Sequence, residues 1–321
     1  MFKYDKSYIS KRASEFGFAR DTLEKVYRLA DILEFLNTEP KLKGNLALKG
    51  GTAINLTIFN LPRLSVDIDL DYLVNDSKEE MLHNREIINT ALARFVELSG
   101  YNLSPKSKKP HSLDSWVYEY MNLGGNKDNI KIEINYSLRA HVFPAQEMQI
   151  VTEHFESEYK IKRLNAIEIF GSKINALLNR AAARDLYDTY NMIRFKLFDE
   201  MEEKLLRKCV VFYAAVSVKE INKDFSTAAI DSLTNHKIKT DLLPVLTKRD
   251  SFDLETAKKV VKDYLNELLV LTPSEKEFLD HFEKKVYIPQ LLFEDPEIIK
   301  RIENHPMALW RIFSKSNWKT S

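Results

Sequence analysis

Three aspartates share one face of a predicted strand. Residues 66–73 alternate strictly, so that Asp67, Asp69 and Asp71 point to one side and the apolar residues between them point to the other. Like-charged carboxylates repel one another and add nothing to a core, whereas Mg²⁺ and Mn²⁺ take carboxylate oxygens as ligands. We therefore predict that Asp67 and Asp69 hold such a cation, with Ser65 as a polar group beside them on the same face. The alternative is an edge strand whose outer face is only solvated.

A candidate phosphate site precedes this strand. The apolar run at 46–48 is typical of a buried strand, and it is followed by Lys49, Gly50, Gly51 and Thr52 and then by a helical segment. The first turn of a helix presents backbone N–H groups and the positive end of the helix dipole, both of which favour phosphate. We predict that this turn seats the β- and γ-phosphates of a nucleotide, with Thr52 capping the helix and adding its hydroxyl. A phosphate site beside metal-binding aspartates indicates phosphoryl or nucleotidyl transfer.

A third carboxylate is expected from a later pair of strands. Residues 116–123 alternate like a strand, a turn follows, and residues 130–135 alternate again, with Lys131, Glu133 and Asn135 on the open face. We predict that Glu133 joins the aspartate pair, because two-metal sites use a further acid to hold the second ion. A solvated glutamate on a half-buried sheet is the alternative.

A cationic segment lies further along the chain. If it forms one continuous helix, Arg180, Arg184 and Asp188 each lie within ~60° of Lys173 around the helix axis, and Asp185 lies ~120° from Lys173. Such a row of cations beside a metal site could bind a triphosphate or an RNA backbone. A surface helix whose charges pair with one another is the alternative.

These motifs together resemble a known family. The stretches KGGTA at 49–53 and RLSVDIDL at 63–70, with Lys-x-x-Ala-Leu-x-x-Arg at 173–180 and Arg-Asp-x-x-Asp at 184–188, are similar to the AbiEii/MenT family of nucleotidyltransferase toxins. That family belongs to the DNA polymerase β-like nucleotidyltransferase superfamily. The resemblance extends to about residue 195 and implies an α/β fold, in which helices pack on a small mixed sheet. It also implies transfer of NMP from an NTP with Mg²⁺ or Mn²⁺, releasing pyrophosphate.

The resemblance also implies roles for particular residues. Lys173 would be the phosphate-binding lysine, and Glu133 the third acid. A further acid of the family would be Asp185 or Asp188. The helical face favours Asp188, whereas a break near Ala183 would turn Asp185 inward, so both stay candidates. Beside Lys173, the arginines of the segment would neutralise the leaving pyrophosphate.

The acceptor is implied only by the resemblance, which points to the 3′ end of tRNA and to a toxin with a cognate antitoxin as partner. Lys and Arg number 48 against 47 Asp and Glu, so no overall basic field marks a nucleic-acid partner. The local basic cluster of Lys160, Lys162 and Arg163 is interpreted as a solvated strand or loop, in preference to a nucleic-acid contact. A small-molecule or protein acceptor, or a non-catalytic binding protein that keeps the fold, are the rival interpretations.

Composition and patterning complete the expectations. We predict a nucleotidyltransferase-like domain at 1–198, including N-terminal helices, and a helical C-terminal domain at 199–321. There is no apolar run of the roughly 18 residues that a membrane span requires, and no signal peptide is evident, so a cytoplasmic protein is expected. The single cysteine, Cys209, excludes a disulfide within the chain, and the dispersed histidines make a zinc site improbable.

Overall fold

The structure is a computed structural model, and it describes residues 2–150, 159–217 and 223–314. Within these residues it contains one seven-stranded mixed sheet and many helices, so the predicted α/β class is confirmed. The strands are β1 (Leu46–Lys49), β2 (Asp67–Tyr72), β3 (Asn102–Leu103), β4 (Leu113–Met121), β5 (Lys127–Asn135), β6 (Gln146–Gln149) and β7 (Lys160–Arg163).

The helices follow the sheet in the chain as well as preceding it. They are α1 (Lys6–Phe16), α2 (Arg20–Thr38), α3 (Gly50–Thr57), α4 (Lys78–Leu98), α5 (Ala166–Arg180), α6 (Ala183–Arg194), α7 (Glu200–Val216), α8 (Ala228–Asp231), α9 (Asn235–Lys237), α10 (Leu254–Leu268), α11 (Pro273–Glu283), α12 (Pro296–Ile302) and α13 (Pro306–Phe313). Helix α4 begins with a capping box, in which the Ser77 hydroxyl accepts from the Glu80 N–H and the Glu80 carboxylate accepts from the Ser77 N–H.

The strand order is β3-β4-β5-β2-β1-β7-β6. Strand β2 runs parallel to β5, and β1 runs parallel to β7, while the other neighbours are antiparallel. The strand carrying the aspartates is therefore central, and it has the strand of Glu133 on one side and the strand that leads into α3 on the other. This position brings the predicted chemistry of three chain segments to adjacent strands.

Helices α2 and α4 cover the apolar side of the sheet. Arg85 of α4 is bonded through Nε and Nη2 to the fully buried carboxylate of Asp114 on β4, with Nη2 2.6 Å from Oδ1. Asp114 pairs with Ile134 in the sheet, so this ion pair lies on the apolar face. Leaving one member of such a pair without its partner typically costs 3–5 kcal/mol, so the pair holds α4 in one place.

The chain divides into two compact units. The first comprises residues 1–139, 144–169 and 234–254, and the second comprises 140–143, 170–233 and 255–321. A grouping by compactness does not identify which part carries the activity, so the division into 1–198 and 199–321 stays a prediction.

The first unit contains the whole sheet and a segment from the second half of the chain. Residues 234–254 reach the loop before β2, where the Leu64 N–H donates to the Val245 carbonyl at 2.8 Å. The Thr247 hydroxyl donates to the Phe16 carbonyl at the end of α1, at 2.8 Å. This segment therefore fixes the loop that leads into the aspartate strand.

The second unit is helical. In its core, Arg207 Nε lies 2.9 Å from Oε1 of the buried Glu275, which links α7 to α11. Cys209 is buried and forms no disulfide, and a Cβ added at Gly171 would lie 2.6 Å from the Cys209 Cβ, so α5 and α7 approach closely there. Across the described ranges, no helix combines the length and the apolar character that crossing a membrane demands.

The stability of the first unit should depend on the ionisation of Asp31 in α2. Burial raises the pKa of Asp31 to about 6, with Glu34 adding to the rise and Lys3 opposing it. Because this value exceeds that of an unfolded aspartate, about 3.9, ionised Asp31 lowers stability as the pH rises from about 4 through 6. We expect Asp31→Asn to stabilise the fold by ~1 kcal/mol at pH 8 and by almost nothing at pH 4, since solvent screens part of the effect.

Thermal unfolding at both pH values tests this expectation. Glu97→Gln is the control, because Glu97 is an exposed acid on α4, another helix of the same unit. A melting temperature that rises equally at pH 4 and pH 8 in Asp31→Asn would contradict the titration argument.

Candidate active site

The open face of the sheet carries charged side chains on three adjacent strands. Lys49 of β1 is in register with Asp69 of β2, and Asp69 is in register with Glu133 of β5. Two residues earlier on β2, Asp67 is in register with Lys131 of β5. Partners in register point to the same side of a sheet, so the aspartate pair and Glu133 share one face across adjacent strands. The pattern of alternation had predicted this common face.

The start of α3 is in direct contact with these charged side chains. Helix α3 begins at Gly50, immediately after β1, and Gly50 has a left-handed backbone with φ of 68°. A Cβ added at Gly50 would lie 2.6 Å from Asp69 Oδ2. Glycine is therefore required here both by the backbone conformation and by the approach of the carboxylate. The turn and the acidic strand form one site.

Gly51 is required by a different neighbour. A Cβ at this position would lie 2.7 Å from Arg63 Nη2 and 3.0 Å from Ser65 Oγ. Arg63 is only 2% exposed, and its Nη1 donates to the Leu64 carbonyl at 3.0 Å. The guanidinium thus packs behind the glycine turn. No periodicity or spacing in the sequence points to a role for Arg63, although it stands at the start of the stretch 63–70 that carries the family resemblance.

The expectation that Thr52 caps α3 is wrong. The helix begins earlier, with Lys49 at the capping position and no side-chain capping bond, so Thr52 is the third residue of the helix. Its side chain is 1% exposed, and its hydroxyl donates to the Asp67 carbonyl and lies 2.9 Å from Ser65 Oγ. The hydroxyl ties α3 to the start of β2, and what Thr52 offers a phosphate is its backbone N–H.

Two lysines balance part of the negative charge. Lys49 Nζ lies 2.6 Å from Oδ1 of the buried Asp71, and Lys131 Nζ lies 2.9 Å from Glu133 Oε1. Attraction by Glu133 raises the pKa of Lys131, although burial opposes it. Asp71 and Glu133 are therefore each paired with a lysine.

Asp69 is in a less favourable position. Burial raises the pKa of Asp69, the charges of Glu133 and Asp67 raise it further, and Lys49 opposes the rise. A buried carboxylate beside two other acids is costly when ionised, and a bound cation removes that cost.

The donor set fits a hard divalent cation held by two protein ligands. No three His, Cys, Asp or Glu side chains in the described ranges are grouped so as to hold a metal ion together. Mg²⁺ usually takes one or two carboxylates and completes its shell with water and substrate phosphate, so Asp67 and Asp69 suffice. Glu133 lies on the same face in register with Asp69, but it is bonded to Lys131.

A second cluster of the named residues lies in the second unit. Lys173 Nζ is 2.9 Å from Asp185 Oδ1 and 2.8 Å from Asp188 Oδ2. Arg180 Nε donates to Asp185 Oδ2 at 2.9 Å. Lys173 and both aspartates are buried, whereas the Arg180 side chain is 63% exposed. The lysine and one arginine of the predicted cationic row are therefore bonded to carboxylates.

The row is not a continuous helix. Helix α5 ends at Arg180, Ala181 has a left-handed backbone with φ of 45°, and α6 begins at Ala183. This turn brings Asp185 as well as Asp188 to Lys173, which a single helix would have separated. Arg184, the second residue of α6, is half-buried. Which aspartate matters more for activity stays a prediction.

Comparisons with known proteins agree with this reading of the fold. The chain matches the sequence model of the family described as nucleotidyl transferase AbiEii toxin, type IV TA system, over residues 32–286. Among solved structures it is similar to MenT4, the nucleotidyltransferase toxin Rv2826c from Mycobacterium tuberculosis H37Rv, with a TM-score of 0.63 and 17% identity over 95% of this chain and 99% of that one. No curated protein gives a significant match. Because the family model covers well over half of the chain, the protein belongs to the AbiEii family of nucleotidyltransferase toxins.

Proposed function

We propose that this nucleotidyltransferase toxin is metal-dependent and moves NMP from an NTP to the 3′ end of tRNA, releasing pyrophosphate. Family membership supplies the nucleotidyltransferase class and the type IV toxin–antitoxin setting. The observation that carries the metal and the nucleotide is the contact of the Asp69 carboxylate with Gly50 at the start of α3. It joins a cation ligand to a phosphate-binding helix terminus at one place.

The residues of the first unit divide the work. The backbone N–H groups of Gly50, Gly51 and Thr52 bind the β- and γ-phosphates, because the first N–H groups of a helix have no partner within it. Asp67 and Asp69 would hold Mg²⁺ or Mn²⁺, which when bound would supply positive charge to the phosphates of the NTP.

The neighbouring polar groups support this core. Glu133 is paired with Lys131 beside Asp69. If a second ion binds, Glu133 would leave Lys131 and act as its ligand. The Ser65 side chain adjoins the glycine turn and helps to hold the nucleotide site in shape, and Lys49, which is bonded to Asp71, directly precedes that turn.

The second unit contributes a phosphate-binding group by family resemblance. Lys173 would bind phosphate, with Arg180 and Arg184 adding positive charge. Asp185 and Asp188 hold the lysine in one position until a phosphate replaces one of their contacts. The type IV setting supports a cognate antitoxin as partner, and use of NTP and tRNA supports a cytoplasmic location.

Removing both metal-binding carboxylates should abolish cation binding. We expect Asp67→Asn with Asp69→Asn to weaken Mn²⁺ binding by about 100-fold or more, since outer-shell changes alone cost 10- to 100-fold. Isothermal titration calorimetry with Mn²⁺ measures it. Asp71→Asn is the matched control on the same strand and face, and it should keep the affinity within about threefold, because Asp71 is paired with Lys49. Unchanged Mn²⁺ affinity in the double variant would contradict a metal site at this strand.

A methyl group at Gly50 should disable the site through Asp69. Gly50→Ala imposes the left-handed penalty of about 1 kcal/mol and also places a Cβ against Asp69 Oδ2. Gly125→Ala is the control, since Gly125 has φ of 83° and open space around its Cα. We expect both variants to lose similar stability, but only Gly50→Ala to lose at least about tenfold in Mn²⁺ and NTP affinity. Equal binding by the two variants would mean that the carboxylate contact has no functional role.

Transfer of labelled nucleotide tests the reaction and its acceptor together. Total RNA is incubated with Mg²⁺ and each α-labelled NTP in turn, using the wild type, Asp69→Asn and Lys173→Ala. We expect label in tRNA with at least one NTP, and a loss of about 100-fold or more in each variant, because each removes charge stabilisation of the transferring phosphoryl group.

A loss of activity must be separated from a loss of folded protein in these two variants. Lys173→Ala leaves two buried aspartates without their lysine and can destabilise the second unit, so its melting temperature is measured in parallel. Asp69→Asn keeps the side-chain shape. Label in a protein or small molecule would replace the RNA acceptor with one of those classes, and label that persists in Asp69→Asn would refute the proposed site.

A further inference from the structure

Two lysines of β7 point to the same side of the sheet as Asp67, Asp69 and Asp71 of β2. Strand β7 runs parallel to β1 with Leu48 in register with Arg163, so Lys162 lies beside Ala47. Ala47 is in turn in register with Asp71. Lys160, two residues earlier, shares the face of Lys162, because side chains alternate along a strand. Ile161 and Arg163 are buried on the opposite face, which agrees with this orientation.

A loop brings two more lysines to this edge. Lys41 and Lys43 follow α2 and are exposed. A Cβ added at Gly44 would lie 3.7 Å from Lys162 Nζ, so the loop and the β7 side chain adjoin. The Lys162 N–H also donates to Asn37 Oδ1 at 2.8 Å, which fixes β7 against the end of α2. We call the residues Lys41, Lys43, Lys160 and Lys162 the lysine stripe.

The lysine stripe has an excess of positive charge. None of its members forms an ion pair within the parts of the chain that the structure describes. Among the described residues two acids lie near it in the chain or the sheet: Glu147 is in register with Lys162, and the half-buried Glu39 directly follows α2. Three further glutamates precede Lys160 in the sequence, at 153, 156 and 158, and lie outside the described residues. Within the described residues the four cations outnumber the two acids, and like charges repel one another. An external anion would relieve this repulsion.

We propose that the lysine stripe binds the phosphate backbone of the polynucleotide acceptor and directs the end of that strand toward Asp67 and Asp69. This inference rests on the proposed function, and it specifies where the acceptor binds. Lysines that neutralise phosphates release counterions from the strand and so supply affinity without reading sequence.

The position of the stripe favours a polymer over a small acceptor. Strands β7 and β2 are separated by β1 alone, so Lys162 and the aspartate strand lie ~10 Å apart. That span corresponds to about three stacked nucleotides of one strand. A single small molecule that reacts at the aspartates would not reach the stripe, whereas an RNA whose terminus reacts there would pass over it.

Charge removal with a matched control tests the proposal. The stripe variant replaces Lys41, Lys43, Lys160 and Lys162 with alanine. The control variant replaces the same number of exposed lysines from one helix and one loop of the first unit, Lys6, Lys11, Lys106 and Lys108. The probes are purified tRNA and a 15-nucleotide single-stranded RNA, each with a fluorophore, titrated at several salt concentrations.

We expect the stripe variant to bind both RNAs between about 10- and 100-fold more weakly at low salt. The slope of log K against log salt should fall by about 3, since each lost phosphate contact removes 0.7–0.9. Mn²⁺ and NTP binding should match the wild type in both variants, and the control variant should bind RNA as the wild type does. A persistent Mn²⁺ and NTP affinity separates failure of the stripe from failure of the nucleotidyltransferase site.

Three results would overturn the inference. Unchanged RNA affinity in the stripe variant would remove the surface, and an equal loss in the control variant would reduce it to general charge. Wild-type protein that binds polyglutamate through the stripe, but neither RNA, would instead assign the surface to an acidic protein.

Discussion

The site depends on the close approach of one carboxylate to the start of one helix. Asp69 lies against Gly50, where any side chain would occupy the space of its Oδ2. Gly50 also has the left-handed backbone that lets β1 turn directly into α3. A single residue therefore satisfies both the chain reversal and the contact. If it were larger, the first N–H groups of α3 and the aspartate strand would move apart.

The rest of the first unit holds these two parts in place. The buried Arg63 packs behind Gly51, and the Thr52 hydroxyl is bonded to the backbone of β2. Residues 234–254 bind the intervening loop through the Val245 carbonyl. The turn is thus supported by buried side chains. Such support holds its backbone donors in fixed positions.

Charge on the open face is arranged in local pairs. Lys49 neutralises Asp71, and Lys131 neutralises Glu133, while burial and neighbouring acids raise the pKa of Asp69. The cost of ionising Asp69 is therefore the strongest demand for a cation on this face. In the second unit the buried group is a cation, Lys173, and it is paired with the carboxylates of Asp185 and Asp188. In both units such ion pairs avoid the cost of burying a charge without a partner.

The sequence by itself determined which side chains share a face and that a helix follows the first strand after a glycine turn, because both depend on periodicity and turn residues close together in the chain. It placed Asp69 and Glu133 on one side, and the structure aligned them in register through contacts between distant strands. Only the tertiary structure decided that the Thr52 hydroxyl donates to the backbone of β2. It also decided that Asp185 as well as Asp188 contacts Lys173. Those outcomes follow from a packed neighbour and from a backbone turn between α5 and α6, and neither leaves a periodic signal in the sequence.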